Sequence, residues 1–263
     1  MFTIQNYHRA QSLEEAWQLN RKKSSRIVGG MLWMKMGSRG IGTAIDLCDL
    51  GLETIDETED SFVIGAMASL RSIELHQGLN DYTNNAVRDA VKDIVGVQFR
   101  NMATVGGSVW GRFGFSDVLT VLLSADTYVE LYKGGIVALD EFVRMKYDND
   151  ILVRVIVKKT PGRFDYGAMR AQRTDFPIIT CAVSCLNGEY RAVIGARPAR
   201  AVTVRDSDNI LADGITDSSA AEFAEYVCNN VTVSGNLRGS ADYRRHLIKV
   251  MTKRSLASLG GIL

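Results

Sequence analysis

No apolar run in the sequence approaches 18 residues, so no membrane-spanning helix is expected. The opening residues, MFTIQNYHRAQSLEEAW, lack the apolar segment that a secretory signal needs, and a cytoplasmic location is the default expectation. Neither sign of charge dominates. Lys and Arg total 31 against 30 Asp and Glu, a formal net charge of +1. Such a balance argues against a nucleic-acid or membrane-surface protein and leaves room only for a local basic patch. Cysteine is scarce and scattered, at Cys48, Cys181, Cys185 and Cys228. Cys181 and Cys185 share one face of a strand-like run, PIITCAVSCLN, with no second pair beside them. That pattern favours core thiols over metal or cluster ligation. The three histidines, His8, His76 and His246, are too dispersed for a metal centre or a triad. Asn230-Val231-Thr232 matches a glycosylation acceptor and is idle without secretion.

What is present is ordinary soluble material: 263 residues, 46% hydrophobic and 23% charged, enough for one large domain or two modest ones. Ser12-Leu13-Glu14-Glu15 reads as a capping box opening a helix through about Lys23, with Ser12 and Glu15 satisfying orphan N–H groups reciprocally. RIVGG, AIDLCDL and SFVIGAM read as strands. NNAVRDAVKDIVG has helical spacing at Val87, Val91, Ile94 and Val95, and SDVLTVLLSAD reads as a helix capped by Ser116. Two strands follow around the turn Gly134-Gly135, then ILVRVIVKK, which ends at Thr160-Pro161-Gly162. A domain boundary is placed there. Beyond it, Asn187-Gly188 marks a hairpin, and helices are expected over SSAAEFAEYVCNNV and from Ser240 to Leu259. The order is α+β, without the regular βαβ spacing of a dinucleotide fold.

Two double glycines carry the chemical interest: Val28-Gly29-Gly30 and Thr104-Val105-Gly106-Gly107. Glycine lets backbone N–H groups approach an anion, and two such loops facing one another could clamp a pyrophosphate. Spacing alone leaves a plain turn open for each pair, as Gly134-Gly135 illustrates. GSRGIGTAIDL imitates a nicotinamide fingerprint, but its third glycine position is Ile45 and it runs into a strand where a helix must open. No GxxxxGK[ST] is present.

At these residues the chain resembles the FAD-binding subunit of the molybdenum hydroxylases, the xanthine dehydrogenase and carbon monoxide dehydrogenase enzymes. VGG at Val28 to Gly30 is similar to the family's AGG loop. RNMATVGGS, from Arg100 to Ser108, is similar to its RN-x-ATIGGN loop, with Ser108 in the asparagine position. FVIGA at Phe62, Ser116-Asp117, Asp150-Ile151-Leu152, SADYRR at Ser240 and the opening FTIQNYHRAQSLEEA extend the likeness over essentially the whole chain. Its flavour is that of a bacterial xanthine dehydrogenase or purine hydroxylase FAD subunit.

The resemblance implies an α+β fold: a two-part FAD-binding domain of the vanillyl-alcohol-oxidase/CO dehydrogenase flavoprotein type, followed by a smaller α+β C-terminal domain. The spans would be 1–160, with two α/β subdomains split near 55, and 161–263. It implies an oxidoreductase subunit that binds FAD and passes electrons from [2Fe–2S] clusters of a small partner to NAD+ or another acceptor. A large molybdopterin-binding partner would hydroxylate the substrate, a purine or xanthine by the nearest likeness. A dimer of heterotrimers is open. FAD contacts are expected from Val28, Gly29, Gly30, Met31, Leu32, Thr104, Gly106, Gly107, Ser108, Asp117, Leu152 and Met169. Asp117 would accept from a ribose or ribityl hydroxyl; helix capping is its alternative. Leu152 would pack on the ring or in the core. Trp33, Trp110 and Lys35 follow or flank the loops and are open between ligand and structural roles. Met31, Leu32 and Ser108 replace the Thr, Asp and Asn usual in the family, and Met169 replaces a lysine four residues before the retained Arg173. These departures keep a cofactor-free interaction subunit as an alternative; a stand-alone flavin oxidase is disfavoured by the short chain. Valine at Gly106 is expected to lower FAD affinity more than stability. Tyr243-Arg244-Arg245, at an unfavourable helix start for cations, is expected to pair with acids or serve an interface.

Overall fold

The structure, a computed structural model, describes residues 2–261. The chain runs β1 (Thr3–Arg9), α1 (Leu13–Asn20), β2 (Ser25–Val28), β3 (Gly40–Asp46), β4 (Ile55–Glu57) and β5 (Ser61–Gly65). Short helices follow: α2 (Leu70–Leu75), α3 (Gln77–Tyr82), α4 (Ala86–Val91), α5 (Val97–Met102), α6 (Val105–Trp110) and α7 (Asp117–Ser124). Then come β6 (Thr127–Leu131), β7 (Gly135–Ala138), α8 (Leu139–Arg144) and β8 (Leu152–Lys158). The last part holds β9 (Gly162–Arg170), β10 (Pro177–Leu186), β11 (Glu189–Gly195), β12 (Val202–Arg205), α9 (Asp217–Asn229) and α10 (Ala241–Gly260). The architecture is α+β in two compact units. One comprises the chain up to Ile73 with Val97–Gly111 and Thr127–Val157. The other comprises Glu74–Gly96, Arg112–Asp126 and the chain from Lys158 on.

The first unit contains two sheets. A parallel one has strand order β1-β3-β2, with β3 in the middle. The imitation fingerprint is β3 itself, which starts at Gly40, four residues before the expected AIDLCDL. The other sheet has order β4-β5-β8-β6-β7. Ala16 of α1 packs with Ile45, Leu47, Ile151 and Val153, so the core of this unit draws on segments more than 100 residues apart. The capping box at α1 is half formed. Ser12 Oγ accepts from Glu15 N–H at 3.1 Å, but the Glu15 carboxylate accepts from Gln11 N–H at 2.7 Å instead of from Ser12. The helix stops at Asn20, short of Lys23, because Ser25 N–H closes back on Lys22 O at 2.9 Å to start β2.

The second unit is built on the antiparallel sheet β12-β11-β10-β9. All ten residues of β10 are buried. Its period-2 alternation explains how both faces are covered. Ile179, Cys181 and Val183 join Phe223, Val227, Leu247 and Ile248 of α9 and α10 in one apolar core. Complete burial of each large aliphatic or aromatic chain stabilises by about 1.5–3 kcal/mol. The intervening Thr180 and Ser184 carry hydroxyls to α7: Thr180 Oγ1 lies 2.9 Å from Thr120 Oγ1, and Ser184 donates to Ser124 O at 2.5 Å. Polar atoms facing a helix are thus paired, which removes the desolvation penalty of leaving them bare. The Asn187-Gly188 hairpin has φ of 49° and 87°, the left-handed pair of a two-residue primed turn.

Two expectations change in this unit. α4 covers only Ala86–Val91, and Val95 turns out at φ 50° beyond the helix end, so Ile94 and Val95 lie outside the helix. Strand β9 has no counterpart in the sequence reading, although Phe164, Tyr166 and Ala168 alternate on it; pairing with β10 defines it. Arg244 is also corrected. It is wholly buried, and among the described residues it pairs with no carboxylate. Its guanidinium donates to Ile178 O, Ser234 O, Gly239 O and Asn236 Oδ1, while the neighbouring Arg245 takes the exposed ion pair with Asp242 at 2.7 Å. Among the described residues no helix is long and apolar enough to cross a membrane.

Candidate functional site

The two double glycines meet inside the first unit, and they do so chain against chain. A Cβ on Gly30 would collide with the carbonyl of Met102. One on Gly29 would lie 2.6 Å from Thr104 Oγ1. One on Gly106 would lie 2.6 Å from Ala66 O and 2.7 Å from Ala66 Cβ. None of the four glycines has a positive φ, so close backbone approach, not left-handed geometry, requires them.

Gly106 and Gly107 are not in an open loop. They lie in α6, which Thr104 caps through a 3.1 Å bond from Gly107 N–H to its Oγ1. The remaining N–H groups at this helix start are also engaged. Val105 donates to Ala68 O at 2.8 Å, Gly106 to Ala66 O at 2.9 Å, and Ser108 to Thr104 O at 3.1 Å. All four donors are thereby satisfied within the chain, and the expected backbone nest at Gly106-Gly107 is not formed.

A cavity of about 830 Å³ opens beside this junction. Of the residues anticipated from sequence, Val28, Gly29, Thr104, Gly106, Gly107 and Leu152 line it. Gly30, Met31, Leu32 and Ser108 do not. Met31 sits at φ 57° and packs with Val28, Ile41 and Ala44, and the Ser108 hydroxyl donates to Thr104 O at 2.9 Å. Lys35 is exposed and stands outside the lining, whereas Trp33 and Trp110 are part of it. Trp110 is held against Phe142, with ring centroids 5.8 Å apart, and Trp33 against Phe99 at 6.4 Å. Ile41, Met34 and Met67 add apolar surface. Sequence reasoning named none of these three, nor the cations Lys23, Arg26 and Arg39 that line the same cavity. Each belongs to an unremarkable surface or strand pattern, and only the folded chain assembles them.

Asp117 and Met169 belong to the second unit. Asp117 is buried at the start of α7, and its Oδ1 takes two donors, Arg170 Nη2 and the Tyr166 hydroxyl, both at 2.5 Å. Burial pushes its carboxyl up to about 6, against the opposing pull of Arg170 and Tyr166. Burial and the adjacent Asp117 likewise push the Tyr166 hydroxyl well above its ordinary value. The oxygen expected to accept from a ligand is therefore already doubly occupied within this unit. Met169 is half-buried and packs against the unit's apolar core. The retained Arg173 pairs with Asp93 at 2.7 Å on the surface.

Comparison with known proteins agrees with this architecture. Residues 2–159 match the family model described as the FAD binding domain in molybdopterin dehydrogenase, and residues 164–259 match the CO dehydrogenase flavoprotein C-terminal domain. The uncharacterized protein YgfM of Escherichia coli K12 is 26% identical over 259 residues, covering 94% of this chain and 93% of that protein. The xanthine dehydrogenase FAD-binding subunit of Escherichia coli O157:H7 is 26% identical over 293 residues, covering 99% of each. Among solved structures, a chain of the carbon monoxide dehydrogenase of Hydrogenophaga pseudoflava superposes with a TM-score of 0.88 at 20% identity, covering 97% of this chain and 96% of that one. That likeness is one of fold. With more than half of its length matched by the first family model and most of the remainder by the second, the chain belongs to the FAD-binding flavoprotein family of the molybdopterin dehydrogenases.

Proposed function

We propose that this chain is the FAD-binding electron-transfer subunit of a molybdenum-hydroxylase-type complex, with the cavity of the first unit as its flavin nucleotide site. The observation that carries the reading is the convergence of both double-glycine segments, Thr104 and Leu152 on one cavity within the family-matched region. The cavity's chemistry suits a flavin dinucleotide. Trp33, Trp110, Met34, Met67 and Leu152 offer surface for flat rings, and Lys23, Arg26 and Arg39 offer charge for phosphates. The exposed Gly107, without a side chain, lets a ligand pack directly on backbone. Thr104 Oγ1 accepts from Gly107 N–H, so its own hydroxyl proton is directed elsewhere and can reach a ligand oxygen. When bound, FAD supplies the chemistry of accepting and releasing electrons; the protein's part is to hold, orient and shield it.

The finer reading follows the relatives. Electrons would come from [2Fe–2S] clusters of a small partner and leave to NAD+ or another acceptor, and a large molybdopterin-binding partner would carry the substrate chemistry. The xanthine dehydrogenase FAD-binding subunit, matched over 99% of both chains, favours a purine as that substrate. The domain spans 1–160 and 161–263 and the contacts of Asp117 and Met169 belong to the same proposal. Titrating FAD into the full-length chain, read by flavin fluorescence and the visible spectrum, tests the reading. Saturable binding near one FAD per chain is expected. Failure to bind after reconstitution would overturn it and favour the cofactor-free interaction subunit, which stoichiometric FAD would exclude. Co-purification of a large and a small partner from the native source is the expected outcome for the assembly.

A further inference from the structure

The second unit has a cavity of its own, of about 830 Å³, that the flavin reading leaves unused. Cross-strand register builds its floor. Arg163 of β9 lies opposite Cys185 of β10, and Cys185 lies opposite Tyr190 of β11, so the three side chains stand in a row on one face of the sheet. That face carries Ile179, Cys181 and Val183 into the core with α9 and α10. At the row itself α10 is already in its last turn, where Leu259 O accepts from Arg163 Nη1 at 2.6 Å. Leu211, buried in the same core, lines the cavity beside the row. The walls are fixed by backbone bonds. Asn187 N–H donates to Pro161 O at 2.9 Å on one side, and Asp206 N–H donates to Tyr190 O at 3.0 Å on the other. A preformed hollow with apolar lining and a few fixed polar groups is the usual form of a small-molecule site.

The charges around this hollow do not cancel on the face of the row. Asp206 lines it but is spent on its own loop, its two carboxylate oxygens accepting from Ile210 N–H at 2.9 Å and Leu211 N–H at 2.8 Å. Glu189 precedes Tyr190 on β11, and Arg205 is paired with Arg191, which follows it, so strand alternation sends both to the opposite face. Arg163 remains. Among the described residues it enters no ion pair with a carboxylate. Its bond to Leu259 O fixes one nitrogen and leaves other donors of the fork, in the planar geometry that suits a carboxylate. Burial pushes the Tyr190 hydroxyl up from its ordinary value, the Cys185 thiol adds to the rise, and Arg163 pulls against it, so the three groups of the row act on one another. The Tyr190 ring, Pro161, Leu211 and Ala212 supply apolar surface next to the cation.

We infer that this cavity of the second unit binds a small organic carboxylate with an apolar body, the carboxylate on Arg163 and the body against Tyr190 and Leu211. The site is built wholly from the second unit and does not rest on the flavin reading.

The test titrates naphthoate, naphthamide and acetate into the full-length protein at low salt and follows the backbone amide resonances of residues 187–190 and 206–214, which border the cavity. Naphthoate is expected to bind there roughly three- to tenfold tighter than naphthamide, which has the same body without the charge, the range expected of a charge-assisted contact to a partly exposed arginine. Acetate, which has the charge without the body, is expected to bind weakest. Arg163→Gln should abolish the preference for acid over amide, and Arg163→Lys should keep most of it. Because Arg163 also bonds to Leu259 O, thermal unfolding of both variants accompanies the titrations, and the comparison of acid with amide on the wild type decides the matter even if neither variant folds. Equal affinity for naphthoate and naphthamide would overturn the inference. So would resonance shifts confined to residues away from the cavity, or no binding of naphthoate up to its solubility limit. FAD titration of Arg163→Gln should match wild type, so either reading can fail while the other stands.

Discussion

Replacing Gly106 with alanine separates a packing role from a ligand role. An added Cβ would stand 2.6 Å from Ala66 O, 2.7 Å from Ala66 Cβ and 2.9 Å from Ala66 Cα, all of which are held by the strand end at Gly65. Overpacking of this kind costs about 1–3 kcal/mol. Displacement also stretches the 2.9 Å bond from Gly106 N–H to Ala66 O, worth about 0.5–1.5 kcal/mol. Alanine's helix propensity returns about 1 kcal/mol. The balance is a loss of about 1–3 kcal/mol, or a fall in Tm of roughly 2–10 °C for a protein of this size. The control is Gly107→Ala, where the exposed position places a Cβ 2.9 Å from the Thr104 hydroxyl alone. That variant should stay close to wild-type stability and show its effect in FAD affinity. Denaturant unfolding and FAD titration of both variants supply the measurements. A Gly106→Ala protein as stable as wild type would refute the close-approach argument. The sequence-based expectation is that valine at Gly106 lowers FAD affinity more than stability; the same distances add a stability cost, because a branched chain meets the backbone of Ala66.

Other outcomes follow from the same structure. Thr104→Val removes the cap of α6 and should cost about 1 kcal/mol in unfolding experiments while also weakening FAD binding. Arg244→Ala deletes four bonds from a wholly buried guanidinium and takes a donor from three backbone carbonyls, of which Gly239 O keeps Asn236 N–H, so a loss of about 3 kcal/mol by chemical denaturation is expected. Asp117 should make stability pH-dependent. Its folded carboxyl is raised from 3.8 to about 6, so the native state binds more protons than the unfolded chain between those values. Stability from this group therefore falls as pH rises from about 4 to 6, and the Tm of wild type minus that of Asp117→Asn should decrease over that interval; an increase would contradict the assignment. Finally, of the four free thiols only Cys48 is exposed, so one fast-reacting thiol per native chain is expected with a thiol reagent and four after unfolding.

Much of the molecule is legible in local pattern. Ser116 caps α7 through Leu119 N–H at 3.1 Å, Asn187-Gly188 makes the hairpin, and Ser240 opens the long α10, because caps, primed turns and apolar periods depend on residues a few positions apart. The early end of α4 and the strand β9 were not legible, since Val95's backbone and the pairing of Tyr166 with Ala182 depend on neighbours in space.

By itself the sequence determined the α+β order, the double glycines and the family they resemble. Tertiary structure decided what those glycines do. Gly30 is small because Met102 O, 72 residues on, leaves no room for a Cβ, and Gly106 is small because Ala66 O, 40 residues back, takes its N–H. It also decided which side chains share the cavity: Lys23, Arg26 and Arg39 enter it, while Gly30, Met31, Leu32 and Ser108 stay out. Glycine in a sequence records that a side chain is not tolerated. Whether the space is claimed by a ligand or by the chain's own backbone depends on contacts between distant segments, which no local spacing encodes.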